Sequence, residues 1–406
     1  MVTSTYPRFA GDGTGRFIER LAEALAELGH EVHVWAPFDP LVTTVESPQK
    51  AVVHRFRYVW PDSLSLMGHA RALYRDVKVK PLVYALVPFY SISCLAHVFH
   101  FTHTHRVDIL HGQWVLPSGS LAALVSRMTS IPMMVSLHGS DIFMAESNPV
   151  YTHLARIAFD TATLVTGCSQ NLLDRAIKLG LDPAKGQVIP YGVDLDRFAV
   201  DKASGMEWRR RLDLSADDLV VAGLGRLVDK KGFTYLVQAM PAVCRVFPNA
   251  HFVIGGQGPL TTVLQRLASE MGVADRLHLP GHVEWNEVPG YMDMADVFVM
   301  PSIHDEAGNV DGLPNVVLEA MASSLPIVAS NIAGLPSVVH DGENGFLVPE
   351  RRPDALARAL NLLLSQPDLR NRFGQASRRR AEAEMGWEVI AHRYVSGYQH
   401  TLAQRK

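Results

Sequence analysis

The 406-residue sequence lacks an excess of charge of either sign. Lysine and arginine number 38 against 41 aspartates and glutamates, which gives a net charge of −3, and charged residues make up only 19% of the chain. Without a basic field, the composition does not favour a nucleic-acid partner. The 48% of hydrophobic residues indicates a well-packed globular protein. The length favours two domains of roughly 150 to 200 residues each.

Cysteine is scarce as well. The three cysteines, Cys94, Cys168 and Cys244, are an odd number without the spacing of metal ligands, which favours a reducing compartment. Polar residues up to Arg8 interrupt the amino terminus before any apolar stretch forms, so no signal peptide is predicted. These observations together predict a cytoplasmic location.

One long segment contains no charged residue. Residues 81–101, PLVYALVPFYSISCLAHVFHF, include no Asp, Glu, Lys or Arg and approach the length of about 20 residues needed to cross a bilayer. Pro88, two serines and two histidines dilute the segment, and Arg75, Lys78 and Lys80 precede it. We expect one or two buried helices of the first domain. The alternatives are a peripheral membrane contact at the inner face of the membrane, the wall of an acceptor groove, and a membrane span.

Short apolar segments alternate with helical patterns along the chain. Most of these segments are β-branched and continuously apolar, as strands buried on both faces of a parallel sheet should be. The predicted strands cover 31–37, 107–111, 132–138, 164–168, 219–225, 251–256, 276–281, 297–302 and 326–330. Both halves of the chain are therefore predicted to be open, doubly wound α/β domains.

The periodicity lapses at 188–205, VIPYGVDLDRFAVDKASG, where Pro, Gly and Asp accumulate. The sequence predicts an N-terminal domain over 1–190 and a C-terminal domain over 191–375. Closing helices are predicted over 376–406. The last of them carries an apolar stripe and is expected to return to the N-terminal domain.

Two cations follow the predicted strand 219–225. In open α/β sheets, ligands bind beyond the carboxyl ends of the strands, and Arg226 and Lys231 lie at this end. The planar guanidinium of arginine and the mobile charge of lysine both suit phosphate oxygens. The pair indicates a diphosphate site, and the alternative is a solvated basic turn.

The segment 308–322, GNVDGLPNVVLEAMA, places Asp311 and Glu319 on either side of a predicted helix start. Pro314 fits the first turn, so the amides of Asn315 and Val316 lack helical partners and favour an anion. Glu319 lies in an apolar run, where burial of an unpartnered carboxylate costs on the order of several kcal/mol. We therefore expect Glu319 to accept hydrogen bonds from ribose hydroxyls. A structural carboxylate that caps a neighbouring loop is the alternative.

These motifs together resemble family 4 of the retaining, nucleotide-sugar-dependent glycosyltransferases, which have the GT-B fold. In the second half, the resemblance rests on GRLVDKKG, GGQGPL, PGHVEWNEVPGYMDMADVFVMPS, DGLPNVVLEAMASSLPIVASNIAGLP and DGENGFLVP. In the first half, it rests on the Gly-rich start, ALAELGHEV, HGQWVLPSG and VSLHGSD. The resemblance implies two Rossmann-like lobes with a cleft between them. The first lobe would lie on the acceptor side, and the second would bind the nucleotide sugar.

The same resemblance implies a reaction. A hexosyl group would move from a nucleotide-diphosphate sugar to an acceptor hydroxyl with retention, as in cell-surface polysaccharide or glycolipid synthesis. No metal or other cofactor is expected. Two alternatives remain open, namely an inactive GT-B homologue that serves as a binding or scaffold subunit, and a sugar-nucleotide epimerase, which would need acid and base groups over the sugar ring.

In the resemblance, the two-acid motif of the family falls on Asp311 and Glu319. The second acid would hold the ribose, and the first would contact the donor sugar. The family has Glu where this chain has Asp311, a side chain shorter by one C–C bond of roughly 1.5 Å, so Asp305 and Glu306 are fallback contacts. Lys231, with Arg226, matches the diphosphate-binding pair.

The remaining implied contacts lie in four loops. His138 matches the histidine beside the donor sugar and completes a predicted catalytic set with Asp311, Arg226 and Lys231. The loop AGDGTGR matches the Gly-rich turn that lets the backbone approach the phosphates. The other predicted nucleotide contacts are Gly13 and Gly15 in this loop, Gly256 and Val283 near the base, and Leu313, Asn315 and Val316 before and in the helix.

Three rival patterns are weaker. The Gly-rich loop does not complete the dinucleotide fingerprint, because Arg16 stands in place of the third glycine. Asp194 and Asp196 form an Asp-x-Asp pair, which binds a metal in another glycosyltransferase fold, but they lie in the predicted linker. The histidines between residues 97 and 111 fit no common zinc spacing and are interpreted as structural, with His111 alone expected to line the acceptor side.

Overall fold

The computed structural model of this chain describes residues 1–43, 50–69, 71, 73–75, 78–79, 81–306 and 308–404. The backbone forms two compact units, one from Met1–Gly192 with Trp387–Lys406 and one from Val193–Gly386. The sequence placed the first boundary after residue 190. The second predicted boundary, after residue 375, is corrected to residue 386, because it falls inside a single continuous helix, Pro367–Glu384.

Strands alternate with helices in both units. The described strands are β1 (His33–Pro37), β2 (Val52–Phe56), β3 (Leu73–Arg75), β4 (Lys78–Val79), β5 (Leu110–Gln113), β6 (Met133–Leu137), β7 (Leu164–Gly167), β8 (Gly186–Val188), β9 (Leu219–Leu224), β10 (Ala250–Gly255), β11 (Leu277–His278), β12 (Val297–Met300), β13 (Ile327–Ser330) and β14 (Gly345–Val348). The described helices are α1 (Arg16–Glu27), α2 (Pro81–Thr104), α3 (Ser120–Thr129), α4 (Ser140–Glu146), α5 (Pro149–Thr161), α6 (Gln170–Lys178), α7 (Lys202–Arg211), α8 (Phe233–Cys244), α9 (Thr261–Glu270), α10 (Val288–Asp293), α11 (Asn315–Ala322), α12 (Leu335–Val338), α13 (Pro353–Ser365), α14 (Pro367–Glu384) and α15 (Trp387–Ala403).

The first unit contains a parallel sheet. β5, β6, β7 and β8 pair in sequence order, and β1 pairs with β2. Val2 bridges Trp35 of β1 and Gly112 of β5, so it links the two sets of strands. The closing helix α15 packs against α1, and its Ile390 and Tyr394 are buried in the same core.

The second unit contains a parallel sheet with the order β11-β10-β9-β12-β13-β14. The chain starts in the middle with β9, moves outward through β10 and β11, and then crosses back to β12. This order is that of a Rossmann fold, in which the ligand crevice lies where the strand order reverses. The carboxyl ends of β9 and β12 are therefore where a ligand is expected. The α/β, doubly wound class predicted from the sequence is confirmed in both units.

The apolar segment 81–101 forms one helix, α2, with Pro88 inside it. Only 28% of its most apolar window is buried, although the helix is long and apolar enough to cross a membrane. Leu82, Phe89 and Ile92 are 49%, 60% and 66% exposed. The expectation of buried helices is therefore wrong, because α2 packs one stripe inward and leaves the opposite, equally apolar face uncovered.

Candidate functional site

The carboxyl end of β9 leads into a tight turn that carries Lys231. Gly232, the residue before α8, has a φ of 69°, and a Cβ there would lie 1.8 Å from the main-chain oxygen of Pro301. Only glycine fits this close approach, which draws the turn against the end of β12. Lys231 is buried as a result, whereas Arg226, at the start of the turn, is exposed.

Asp311 pairs with two lysines of this turn. Its Oδ2 lies 2.5 Å from Nζ of Lys231, and its Oδ1 lies 3.0 Å from Nζ of Lys230. Burial alone would raise the pKa of Asp311, but the two ammonium groups outweigh it and hold this pKa well below the usual range. The sequence predicted Lys231 and Asp311 as separate contacts. Their pairing, and the part taken by Lys230, emerges only from the structure.

The helix α11 begins one residue later than the sequence predicted. Pro314 is its N-cap, with φ −68° and ψ 117°, and Asn315 is its first residue. Among the described residues, the amides of Asn315 and Val316 donate no hydrogen bond, and Oδ1 of Asn315 is buried without a partner. Open amides at a helix start attract an anion, and Leu313 is buried just before them.

Glu319 lies one turn into α11 and is half-buried. Burial raises the pKa of Glu319 to about 7, and the nearby charge of Arg197 opposes this rise. Its carboxylate accepts no hydrogen bond from the residues that the structure describes, so the interpretation as a loop cap is not supported. A half-buried carboxylate without a donor suits a ligand that brings hydroxyl groups.

The ends of β10 and β11 supply a second wall. Gly256 has a φ of 127°, and a Cβ there would lie 1.9 Å from the main-chain oxygen of Gly225, so its lack of a side chain serves the packing of β9 against β10. Its amide donates to the main-chain oxygen of Gly281 at 2.7 Å. The main-chain groups of His282 and Val283 make no hydrogen bond within the described part of the chain. They remain open to the edge of a base.

In the first unit, the Gly-rich loop is held by Asp12. Its buried carboxylate accepts from the amides of Arg8 and Thr14, both at 3.0 Å, and from Nε of Arg8 at 2.7 Å. A Cβ on Gly13 would meet nothing within 4 Å, whereas one on Gly15 would lie 2.8 Å from Cγ2 of Thr5. Gly13 is therefore an open position, and Gly15 is a packing requirement.

His138 follows the carboxyl end of β6. Its Nε2 lies 2.9 Å from Oε1 of Gln113, and its Nδ1 lies 3.0 Å from the hydroxyl of Tyr191. The rings of Phe17 and Trp114 lie 4.9 and 4.6 Å from its centroid. Burial lowers the pKa of His138 to about 3. Sequence reasoning missed Gln113 and Tyr191, although Gln113 lies in the quoted motif HGQWVLPSG.

Comparisons with known proteins identify the family of this chain. Residues 11–197 match the model described as Glycosyltransferase Family 4, and residues 206–380 match the model described as Glycosyl transferases group 1. The chain is 34% identical over 282 residues to a GDP-mannose-dependent alpha-(1-6)-phosphatidylinositol monomannoside mannosyltransferase of Mycobacterium tuberculosis, with 68% of this chain and 73% of that protein covered. The chain belongs to glycosyltransferase family 4.

Further relatives of this family 4 glycosyltransferase differ in their sugars. The chain is 30% identical over 282 residues to the UDP-Gal:alpha-D-GlcNAc-diphosphoundecaprenol alpha-1,3-galactosyltransferase of Escherichia coli. The match covers 66% of this chain and 70% of that protein. Among solved structures, Anabaena Alr3699/HepE in complex with UDP matches with a TM-score of 0.76 at 19% identity, over 98% of this chain and 99% of that one. The predicted GT-B fold is confirmed, and the chain is a glycosyltransferase of a family that uses nucleotide sugars.

In this family 4 glycosyltransferase, Asp311 rather than a fallback acid pairs with Lys231. Asp305 accepts from the amide of Asn309 at 2.8 Å and from its Nδ2 at 3.1 Å, so it closes its own loop. Glu306 is exposed. Asp311 is the acid that the structure places beside Lys231.

The rival patterns have structural explanations. Asp194 accepts from the amide of Arg197 at 3.2 Å, as a turn cap does, and no cluster of metal-ligating side chains occurs among the residues described. His97 and His103 bond to main-chain oxygens of their own helix, α2. His111 is buried and contacts the hydroxyl of Tyr398 at 2.8 Å. The expectation that His111 lines the acceptor side stays a prediction.

Proposed function

We propose that this protein transfers a hexosyl group from a nucleoside-diphosphate sugar to an acceptor hydroxyl, with retention of the anomeric configuration. The supporting observation is the arrangement at the carboxyl ends of β9 and β12. There Lys231 pairs with Asp311. Among the described residues, the amides of Asn315 and Val316 donate no hydrogen bond, and the half-buried carboxylate of Glu319 accepts none. Together these groups provide complementary contacts for a diphosphate and a ribose.

Stabilisation of the leaving diphosphate is the main chemical task in this proposal. Arg226, Lys231 and the amides at the start of α11 stabilise the negative charge that develops as the sugar becomes oxocarbenium-like. Each well-placed donor contributes about 2.7 to 4 kcal/mol. These groups supply the positive charge that a metal ion would otherwise bring, so we propose a reaction without metal or other cofactor.

Glu319 binds the ribose hydroxyls in this proposal, and the main chain at Val283 reads the base. The main chain at Gly13 approaches the phosphates from the Gly-rich loop, and His138 lies beside the donor sugar. Asp311 positions Lys231 and contacts the sugar hydroxyls. Because its carboxylate is neutralised by two lysines, Asp311 is a poor nucleophile. Retention therefore proceeds by attack on the same face, with the acceptor proton taken by the departing phosphate.

A lipid-linked acceptor is supported by the relatives. The mycobacterial relative is named for a phosphatidylinositol monomannoside, and that from Escherichia coli for a diphosphoundecaprenol-linked sugar. We propose that this protein likewise works on a lipid-linked sugar, at the inner face of the membrane. Among the described residues, Cys94, Cys168 and Cys244 form no disulfide, in line with a reducing compartment.

The exposed apolar surface of the first unit supports this membrane contact. α2 packs on α3, and α3 packs on α5, while the hydroxyls of Tyr84 and Tyr151 join α2 to α5 by a hydrogen bond. The exposed apolar side chains of these helices are Leu82, Val87, Phe89, Ile92, Leu124, Met128, Val150 and Leu154. We name this set the apolar surface. The basic residues that precede α2 in the sequence suit anionic headgroups.

The double variant Phe89→Asp/Ile92→Asp tests the apolar surface. Burial of each of these side chains is worth about 1.5 to 3 kcal/mol, so partitioning onto vesicles that contain an anionic phospholipid should fall by about 100-fold or more. Vesicle flotation of the full chain measures the change.

Val246→Asp is the matched control, because Val246 is an exposed apolar residue of the second unit and should leave flotation unchanged. Equal flotation of the double variant and the wild type would contradict the membrane contact. If sedimentation instead shows that the double variant loses a dimer, the surface pairs two copies of this chain and the membrane proposal is wrong.

A panel of nucleotide sugars tests the reaction itself. The panel should include GDP-mannose and UDP-galactose, with and without a chelator, and NMR of the product should report the anomeric configuration. Transfer with retention that survives the chelator supports the proposal. Binding without turnover would identify a scaffold subunit, and a changed donor sugar without transfer would identify an epimerase.

A further inference from the structure

Both ring nitrogens of His138 are occupied by side chains of the first unit. Nε2 faces Oε1 of Gln113 at 2.9 Å, and Nδ1 faces the hydroxyl of Tyr191 at 3.0 Å. An amide oxygen is only an acceptor, whereas a tyrosine hydroxyl can donate. The neutral ring that fits both contacts carries its proton on Nε2.

Gln113 is oriented by a second histidine. It is fully buried, and its Nε2 lies 3.3 and 3.4 Å from the two ring nitrogens of His111. The amide therefore donates toward His111 and turns its oxygen to His138. The oxygen and the nitrogen of the planar carboxamide group face different directions. The contact of the nitrogen with His111 therefore determines that the oxygen faces His138.

His111 is itself held by the closing helix and by β6. Its Nδ1 contacts the hydroxyl of Tyr398 on α15 at 2.8 Å, and its Nε2 contacts Oγ of Ser136 at 2.8 Å. Oγ of Ser136 also lies 3.3 Å from the hydroxyl of Tyr394. A continuous chain of hydrogen bonds therefore runs from α15 through His111 and Gln113 to His138.

We propose that Gln113 is a positioning residue for His138. By accepting the hydrogen bond from Nε2–H, it holds the buried, neutral imidazole in one tautomer and one orientation, and the hydrogen-bonded chain to α15 fixes Gln113 in turn. The inference rests on the proposed function, in which His138 lies beside a sugar that becomes cationic. A neutral ring avoids repulsion there, whereas an imidazolium would oppose the developing positive charge.

The charged and titratable surroundings of His138 are few within the described residues. Asp141 of α4 accepts from the amides of His138 at 3.2 Å and Gly139 at 2.9 Å, so it contacts the main chain rather than the ring. Tyr191 contacts Nδ1 and itself contacts Cys168, and His111 lies close enough for the charges of the two rings to oppose each other. The remaining ring contacts, Phe17 and Trp114, do not titrate.

Gln113→Glu is the decisive variant. A carboxylate at this position also accepts from Nε2, but it favours the imidazolium and so raises the pKa of His138. Between about pH 5 and pH 9, kcat of the variant should fall about tenfold for each pH unit below the new pKa. The wild type should show no such decline, and KM for the donor should change by less than about threefold.

Gln113→Leu is the matched control, because it removes the hydrogen bond without adding charge. It should lower kcat by the same factor at every pH. Superimposable pH profiles of Gln113→Glu and the wild type would overturn the proposal.

A measurement on the wild-type chain keeps the proposal testable if Gln113→Glu does not fold. Nitrogen-15 NMR of labelled histidine should show His138 neutral with its proton on Nε2 over this pH range. A proton on Nδ1, or a charged ring, would overturn the proposal. If no donor is turned over, the proposed function fails on its own, while the NMR result still decides the role of Gln113.

Discussion

Lys231→Ala should lower kcat by about 100- to 1,000-fold while shifting Tm by only about 2 to 4 °C. The ammonium group of Lys231 is the buried cation at the carboxyl end of β9, where the proposed β-phosphate gains charge. Its loss removes a preorganised donor that acts mainly in the transition state. The fold should tolerate the change, because Asp311 keeps Lys230 at 3.0 Å. Steady-state kinetics and a thermal melt together measure both effects.

Lys230→Ala is the matched control for this prediction. Lys230 contacts the same carboxylate, but through the other oxygen, so its removal leaves the Lys231–Asp311 pair intact. We expect a loss of kcat of less than about tenfold. Equal losses in both variants, or a collapse of Tm with Lys231→Ala, would make Lys231 a structural residue.

Glu319→Gln should weaken the binding of a nucleoside diphosphate by about 1 to 3 kcal/mol, which is roughly 5- to 150-fold in Kd. The unpartnered carboxylate accepts the ribose hydroxyls strongly only when it is ionised. Since its pKa is about 7, wild-type affinity should rise with pH through this value, and that of the variant should not. Titration calorimetry across this range measures both.

The same substitution should stabilise the ligand-free protein. The folded pKa of Glu319 lies above its ordinary value of 4.5, so the folded state binds more protons and loses stability as pH rises from 4.5 through 7. A glutamine side chain does not ionise, so the variant does not lose this stability as pH rises. The variant should therefore have the higher Tm above about pH 7 and no advantage below about pH 4.5.

Glu343→Gln is the control for Glu319→Gln, because Glu343 is exposed and contacts only His340 among the described side chains. Neither nucleotide affinity nor the pH dependence of Tm should change there. An unchanged Kd in Glu319→Gln would remove the ribose contact from the proposal. A lower Tm above pH 7 would show that the carboxylate has a stabilising partner.

Most of the strands that the sequence predicted correctly have neighbours on both sides, although β11 is an edge strand. β9, β10, β12 and β13 are continuously apolar because they are buried on both faces. The strands missed include β2, β8 and β14, which each lie at an edge of a sheet, where half-exposed residues interrupt the apolar run. They also include β3 and β4, which are very short and form a separate antiparallel pair. The order of the strands in the sheet could not be predicted from the apolar pattern, because buried parallel strands have the same pattern whatever their order.

The local geometry of the candidate site was predictable where neighbours in sequence are neighbours in space. Pro314, the open amides after it and Glu319 belong to one helix start, so local rules were enough. Lys230 and Gln113 were missed because their partners lie far away in the chain, and only the packing of strands and loops brings them together. The exposure of α2 was mispredicted for a related reason. An apolar run indicates burial, but it does not identify the surface against which the helix would be buried.

The return of α15 to the first unit has a consequence for synthesis on the ribosome. The second unit, Val193–Gly386, is one uninterrupted stretch and can acquire its structure as soon as it has emerged. The first unit begins to emerge earlier, yet the core around α1 stays incomplete until Ile390 and Tyr394 emerge after the whole second unit. Premature termination just before Trp387 should therefore damage the first unit and spare the second unit, although the second is made later.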